Sequence, residues 1–157
     1  MYPAFLMIHS VLRWLVVIAA AAAAGKALAG WLGKQPFTKL DDRLGSAFTI
    51  VMDVQLLVGL ILYVFLSPLT QAAFQDLGAA MSDGTLRFFA VEHLAVMVVA
   101  VVLAHVGRAT SRRAADDKKH QRAAIWYGLA LLTILFAIPW PFYSYGRPLN
   151  PFWMFGG

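Results

Sequence analysis

Four apolar stretches, each about as long as a membrane-crossing helix, set the strongest limit on what this chain can fold into. A bilayer core about 30 Å thick needs a helix of about 20 apolar residues. The stretches lie at residues 5–32, 45–66, 88–107 and 123–142. Hydrophobic residues make up 61% of the 157 residues and charged residues 13%, whereas a soluble domain is about half apolar and about a quarter charged. Lipid is therefore the expected solvent.

The basic residues predict how these spans are oriented. Nine of the thirteen Lys and Arg residues lie in the two segments that join spans one to two and three to four. Because Lys and Arg concentrate on the cytoplasmic side, we predict an integral membrane, all-α, four-helix up-down-up-down bundle in the bacterial cytoplasmic (inner) membrane. Both termini then lie on the outer, periplasmic side. The net charge of +5 follows the same clustering, so it indicates membrane topology and not nucleic-acid binding.

The whole chain, residues 1–157, is predicted to be a single transmembrane domain. The outer loop, 67–87, includes a weakly amphipathic piece around 69–81 that is expected to lie along the membrane interface. Residues 143–157 form an aromatic outer tail, since Trp and Tyr prefer the headgroup level. The N-terminal stretch lacks the basic region of a signal peptide and is interpreted as a true span. The absence of cysteine excludes disulfides and thiolate metal sites.

Polar residues within the spans predict a cofactor site in the outer half of the bundle. Helices one and three are diagonal in such a bundle, so His9 and His93 fall at similar depth on opposing walls. Two neutral imidazoles across an apolar gap are the axial ligands that the iron of a bis-histidine haem b requires. Arg13 shares a helix face with His9 and needs an anionic partner in lipid, either a haem propionate or Glu92. Arg87 is a further propionate candidate.

Glu92 is the only glutamate in the chain. It lies about 100° around the helix from His93, so it is expected to face a neighbouring helix. There it would pair with Arg13 or accept a proton from a bound quinol, which makes quinone a second candidate cofactor. A haem-free polar network, a quinone pocket and a metal-ion site remain open as interpretations of these residues.

A secondary polar cluster is expected toward the inner side, formed by Lys26, Asp53, Gln55 and His105. Asp53 with Lys26 is expected to be a structural ion pair. His105 lies about 18 Å along the helix from His93, so the two cannot share one iron, and one haem is expected. His120 belongs to the charged inner loop and is expected to be solvated.

Four segments cover most of the chain and carry a resemblance: HSVLRW (9–14), GKQPFTKLDDRLG (33–45), VEHLAVMVVAVVLAHVGR (91–108) and KKHQRAAIWYGLALLTILFAIPWPF (118–142). They resemble a group of small bacterial four-span membrane proteins labelled cytochrome-b-like. The resemblance implies a cytochrome b561-type architecture, in which histidines of a four-helix core hold haem b, with His9 and His93 as the ligands. The chain lacks the two inter-helix histidine pairs of that architecture, so the resemblance does not extend to a transmembrane dihaem wire.

These observations favour an electron carrier or a subunit over a stand-alone enzyme. The expected function is a haem b-binding membrane electron-transfer protein, or the haem-bearing anchor subunit of a respiratory or photosynthetic complex. Its partners would be the lipid bilayer and other membrane or periplasmic redox subunits. The alternative is a haem-free accessory subunit with a buried His, Arg and Glu network. A small transporter is a third interpretation, which lacks the broken helices typical of that class.

Overall fold

The computed structural model describes residues 1–152, so Trp153–Gly157 of the expected aromatic tail lie outside the described residues. Within this range the chain is all-helical and contains no strand. Its α-helices are α1 (Tyr2–Leu32), α2 (Lys39–Ile61), α3 (Pro68–Gln75), α4 (Leu77–Ser82), α5 (Gly84–Arg87), α6 (His93–Arg113) and α7 (Asp116–Ala137). Two π-helical segments, Leu62–Leu66 and Phe88–Glu92, extend α2 and precede α6.

Three helical stretches are long and apolar enough to cross a membrane. They are Tyr2–Leu32, Lys39–Leu66 and Gly84–Arg113, with 31, 28 and 30 residues. Their mean hydropathies are 2.0, 2.2 and 2.2, which is typical of segments that lie in lipid. These three helices indicate a membrane protein.

The fourth apolar stretch is helical over less of its length than the sequence suggests. Helix α7 ends at Ala137, whereas the stretch was expected to run to residue 142. Ile138 has an extended backbone, with φ −69° and ψ 128°, because the ring of Pro139 disfavours helical geometry in the residue before it. The part of α7 without charged residues therefore runs from Ala123 to Ala137, a length of about 22 Å at the helical rise.

Residues 67–87, which were expected to form an outer loop with an amphipathic piece around 69–81, fold into three short helices. Each begins at a residue whose side-chain oxygen accepts a hydrogen bond from a backbone amide one turn later. Ser67 Oγ accepts from Thr70 N at 3.4 Å, Asp76 Oδ1 from Ala79 N at 2.9 Å and Asp83 Oδ1 from Leu86 N at 2.8 Å. Such caps stabilise helix ends, and they explain where polar residues fall in this loop.

The four long helices pack through small side chains. Helices α1 and α6 each contact both α2 and α7. Their buried core includes Ala20, Ala23, Ala24, Ala27, Ala100, Ala104, Ala123 and Ala130, with Phe48, Met52 and Tyr127 filling the larger spaces. Small residues let helix backbones approach closely where lipid supplies no hydrophobic drive between helices. The alanine-rich run of α1 is therefore an interface with its neighbours.

The pairing expected for the inner cluster is wrong. The Lys26 ammonium lies 3.3 Å from Asp41 Oδ1, and Asp53 Oδ1 lies 2.8 Å from Nε2 of His105. Gln55 does not join them, because residues 53 and 55 point about 200° apart around α2. Asp53 faces outward beside α6, and Gln55 is buried on the side that faces α1. Asp53 and His105, both expected in the inner cluster, do contact each other, whereas Lys26 pairs with a residue outside that cluster.

His120 is buried, contrary to its expected solvation. Only 3% of it is exposed, and its ring packs against the Phe37 ring at a centroid distance of 5.1 Å. The ring occupies the space beside Gly30, where a Cβ atom would overlap it. His120 Nε2 lies 3.4 Å from the carbonyl oxygen of Pro36. Because Gly30 of α1 has no side chain, the ring of His120 of α7 fits beside it.

Candidate functional site

His9 of α1 and His93 of α6 face each other between the long helices. Their ring centroids are 6.3 Å apart and the ring planes meet at 72°. The helices that carry them each contact both α2 and α7. The structure therefore brings together the two histidines that the sequence singled out.

Both imidazoles line a cavity of about 130 Å³ that is partly open to the outside. Its polar lining comes from His9, Arg13, Gln55, His93 and Arg147, together with the hydroxyls of Ser10, Tyr63, Ser67 and Thr70. Its apolar lining includes Leu6, Val16, Met52, Leu56, Met97, Val101, Ile134 and Ile138. An apolar chamber with a few converging polar groups is the usual form of a ligand site.

The orientation of His93 follows from the end of α7. In a continuing helix, the carbonyl of Ala137 would accept from the amide of residue 141, but Pro141 has no N–H. His93 Nδ1 lies 2.9 Å from this carbonyl oxygen instead. A carbonyl can only accept, so Nδ1 of the neutral ring carries the proton and donates. The lone pair of the ring is then on Nε2, the arrangement typical of a histidine that binds a metal.

Gln55 positions His9 from α2. Its Nε2 donates to the backbone carbonyl of His9 at 3.1 Å and lies 3.3 Å from His9 Nε2. His9 Nδ1 is buried and has no hydrogen-bond partner within the described residues. One helical turn further along α2, a Cβ atom at Gly59 would lie 3.1 Å from Cε1 of His9, so the glycine leaves room for the ring. Gln55 and Gly59 are four residues apart and therefore lie on the same face of α2. This spacing is the sequence pattern that indicates the face turned toward His9.

Two arginines line the cavity, and sequence reasoning found only one of them. The Arg13 Nη2 donates to the Leu149 carbonyl at 3.2 Å, and its guanidinium lies 5.3 Å from the Trp14 ring centroid. The guanidinium of Arg147 lies 4.8 Å from the ring centroid of Phe89. Within residues 1–152, neither guanidinium forms an ion pair with a carboxylate. The tail places Arg147 there by folding back, with the Arg147 amide donating to Pro139 O at 2.9 Å.

Glu92 pairs with Arg87 and not with Arg13. Arg87 Nε donates to Glu92 Oε1 at 2.7 Å, and both side chains are nearly half exposed. The two residues are five positions apart, which is the hydrogen-bond spacing of a π-helix, and the segment Phe88–Glu92 between them is π-helical. Neither residue lines the cavity. Two of the five predicted cofactor-binding residues therefore form a separate surface pair.

The two π-helical segments meet beside the cavity. The Tyr63 hydroxyl of the first donates to the Ala90 carbonyl of the second at 2.7 Å. The Thr70 hydroxyl donates in turn to the carbonyl of Tyr63 at 2.7 Å. These bonds use carbonyls of the irregular turns, and such turns are frequent at functional sites. They hold the start of α6, and with it His93, against the end of α2.

Metal clusters and known relatives add no further assignment. Among residues 1–152, no three His, Cys, Asp or Glu side chains lie close enough together to hold a metal ion. The two cavity histidines can therefore supply at most two protein ligands.

Comparisons with protein-family models, with curated proteins and with solved structures each find no match to this chain.

Proposed function

We propose that the chain is a four-span up-down-up-down bundle of the bacterial inner membrane with both termini outside. The contacts between helices support the alternating directions: His9 near the start of α1 meets Gln55 late in α2, whereas Lys26 meets Asp41 at the start of α2. His93 at the start of α6 likewise meets Ala137 at the end of α7. The concentration of Lys and Arg in the two inner connections supports the orientation.

We further propose that His9 and His93 hold one haem b, and that the protein is a membrane electron carrier or the haem-bearing subunit of a redox complex. The observation that supports this best is the 6.3 Å between the two ring centroids. Two metal–nitrogen bonds of about 2 Å, with about 1 Å from each nitrogen to its ring centroid, require about 6 Å. Haem bound there supplies reversible one-electron chemistry at iron.

Three polar groups of the cavity, besides His9, have a part in this proposal. The bond from His93 Nδ1 to Ala137 O directs the Nε2 lone pair away from α7 and into the cavity. Within residues 1–152, Arg13 and Arg147 have no acidic partner, and they would suit the two propionates in place of the expected Arg87. The apolar lining would keep water away from a haem iron held there and would raise the cost of a net charge on it, which is one of the ways a protein tunes a reduction potential.

The size of the cavity defines how a macrocycle must lie. An enclosed volume of about 130 Å³ is close to that of cavities that hold a benzene-sized molecule, and it is smaller than a closed pocket for a larger ligand. The cavity is open on one side, so the edge of the macrocycle would extend through the opening. There it would be accessible to the proposed partners, which are other membrane or periplasmic redox subunits.

A visible absorption spectrum of the detergent-purified chain, reconstituted with haemin, tests the proposal. We expect a reduced-minus-oxidised α band and about one haem per chain, lost in His9→Ala and in His93→Ala. His105→Ala is the matched control, because His105 lies in the same helix as His93 but outside the cavity. Circular dichroism verifies that each variant is folded. A wild-type chain that binds no haem, or a band that persists in both cavity variants, would refute the proposal.

A haem-free accessory subunit is the second candidate, and one observation favours it. Each imidazole already has a hydrogen-bonding contact, His9 with Gln55 and His93 with Ala137. Such a network alone could set the register of α1, α2, α6 and α7. In that case the purified protein is colourless and is recovered together with other membrane subunits. The same spectrum therefore distinguishes the two functions.

A further inference from the structure

A second polar pair lies on the outside of the helices, away from the cavity. Asp53 Oδ1 of α2 is 2.8 Å from His105 Nε2 of α6, and each side chain is 48% exposed. Both residues lie within apolar helical stretches that are long enough to cross a membrane. Neither belongs to the cavity lining.

The surroundings of this pair are apolar and exposed. On α2 the outward residues around it are Ala47, Ile50, Val54, Leu57 and Ile61. On α6 and the π-helical segment before it they are Val91, Ala95, Val98, Val102 and Ala109, which with His105 recur at alternating intervals of four and three. This spacing of small and β-branched residues is that of a helix seam that packs against another helix. The face is therefore shaped for contact and contains one polar pair near its inner end.

The Asp53–His105 contact leaves some polar atoms of both side chains without a hydrogen bond among the described residues. Within residues 1–152, the second carboxylate oxygen of Asp53 and Nδ1 of His105 make no hydrogen bond. Ionisable side chains in membrane spans face the bundle interior or a water-filled cavity in almost all cases, because hydrocarbon leaves their polar atoms without partners. Asp53 and His105 instead face outward, so a partner for their free atoms is needed on the lipid side.

We propose that this α2–α6 face is the interface with a second copy of the chain, related by a two-fold axis along the membrane normal. Rotation about that axis sets α2 of one copy against α6 of the other. The carboxylate of Asp53 then meets the imidazole of the partner copy's own histidine, and the reverse contact forms at the same time. An acid and a base side by side are self-complementary under this symmetry, as an isologous interface requires. No other partner chemistry is needed to satisfy both groups.

Heterotypic cross-linking tests the proposed geometry. The chain has no cysteine, so single cysteines can be introduced without background. Chains with Val54→Cys and chains with Val102→Cys, carrying tags of different size, are co-expressed and oxidised in native membranes. We expect a mixed disulfide dimer from these two positions of α2 and α6. Leu132→Cys is the control on α7, since Leu132 is exposed on a different helix and is expected to give no dimer.

The role of the polar pair is tested by the combined substitution Asp53→Leu with His105→Leu. We expect the mass of the wild-type chain in lipid nanodiscs to be that of a dimer, and the dimer association constant of the variant to fall at least tenfold. A monomeric wild type, a dimer that forms equally well without the pair, or cross-links through Leu132→Cys instead would overturn the inference.

This inference rests on the proposed membrane placement but not on haem. The visible spectrum of the same double variant separates the two ideas, because the cavity residues are unchanged. A protein that dimerises but shows no haem spectrum would support the proposed interface and refute the haem proposal. A monomer with an intact haem spectrum would do the opposite.

Discussion

The packing of His120 against Gly30 allows a prediction that can be tested without any ligand. A Cβ atom at Gly30 would overlap the His120 ring, which is 3% exposed and is held on its other side by Phe37. Gly30→Ala therefore introduces a methyl group where α7 leaves no space. Gly25, five residues earlier in α1, is the matched control, because nothing lies within 4 Å of a Cβ atom built there.

The expected magnitudes follow from two opposing effects. Alanine is about 1 kcal/mol more favourable than glycine in a helix interior, so Gly25→Ala should increase the free energy of unfolding by about that amount. At Gly30 the same gain is opposed by overpacking, which costs about 1–3 kcal/mol. The net result at Gly30 is a loss of up to about 2 kcal/mol. In a His120→Ala background the overlap is gone, and Gly30→Ala should again be stabilising.

The assay is a double-mutant cycle on the detergent-solubilised protein, with unfolding followed by circular dichroism. Wild type, Gly30→Ala, His120→Ala and the double variant give the coupling free energy between the two positions, expected at about 1–3 kcal/mol. If Gly30→Ala stabilised the wild type as much as Gly25→Ala does, or if the two substitutions were additive, the packing described for His120 would be wrong.

Three further predictions concern the ends and contacts of the helices. Asp41→Asn removes the ion pair with the Lys26 ammonium and weakens the acceptor of the Thr38 amide and hydroxyl at the start of α2. It should lower the free energy of unfolding by about 1 kcal/mol, the usual cost of a lost interaction at a helix N-terminus, and an unchanged unfolding midpoint would contradict this. Tyr63→Phe removes the donor to Ala90 O and should destabilise the protein by about 0.5–1.5 kcal/mol in thermal unfolding; no loss would mean that the hydroxyl is equally well bonded elsewhere. Gly107→Ala should destabilise, because its Cβ would lie 2.8 Å from Cβ of Trp126, and the unobstructed Gly128→Ala should not; equal unfolding midpoints would argue against the close α6–α7 contact.

Several features of the site were predictable because they depend on local properties of the chain. Runs of apolar residues predicted four spans, and three helices among the described residues are long and apolar enough to cross a membrane. The expected first span, 5–32, agrees closely with the helix Tyr2–Leu32. The similar depth of His9 and His93 followed from counting residues along two helices. The structure places the two rings edge to face, with their centroids 6.3 Å apart, and this required only that each side chain also point inward.

Other features depended on rotation about a helix axis, which counting along the chain does not determine. Gln55 was assigned to the inner cluster by its nearness to Asp53, yet the two side chains leave α2 on different sides. Arg87 and Glu92 pair because a π-helical segment alters the angle between positions five apart. The sequence contains no strong signal for either outcome, since a π-helical turn depends on what packs around it.

The sequence by itself indicated a membrane protein, the approximate positions of its long apolar helices, and which ionisable residues those helices contain. These outcomes follow from local properties of the chain: its hydropathy, the side-chain oxygens that cap helices, and the prolines, which lack a backbone N–H. Only the tertiary structure decided which polar groups meet, because a partner is chosen by the packing of other helices. Arg147 reaches the cavity through a tail that folds back, and His120 is buried because Gly30 has no side chain. Both depend on contacts between residues that are distant in sequence.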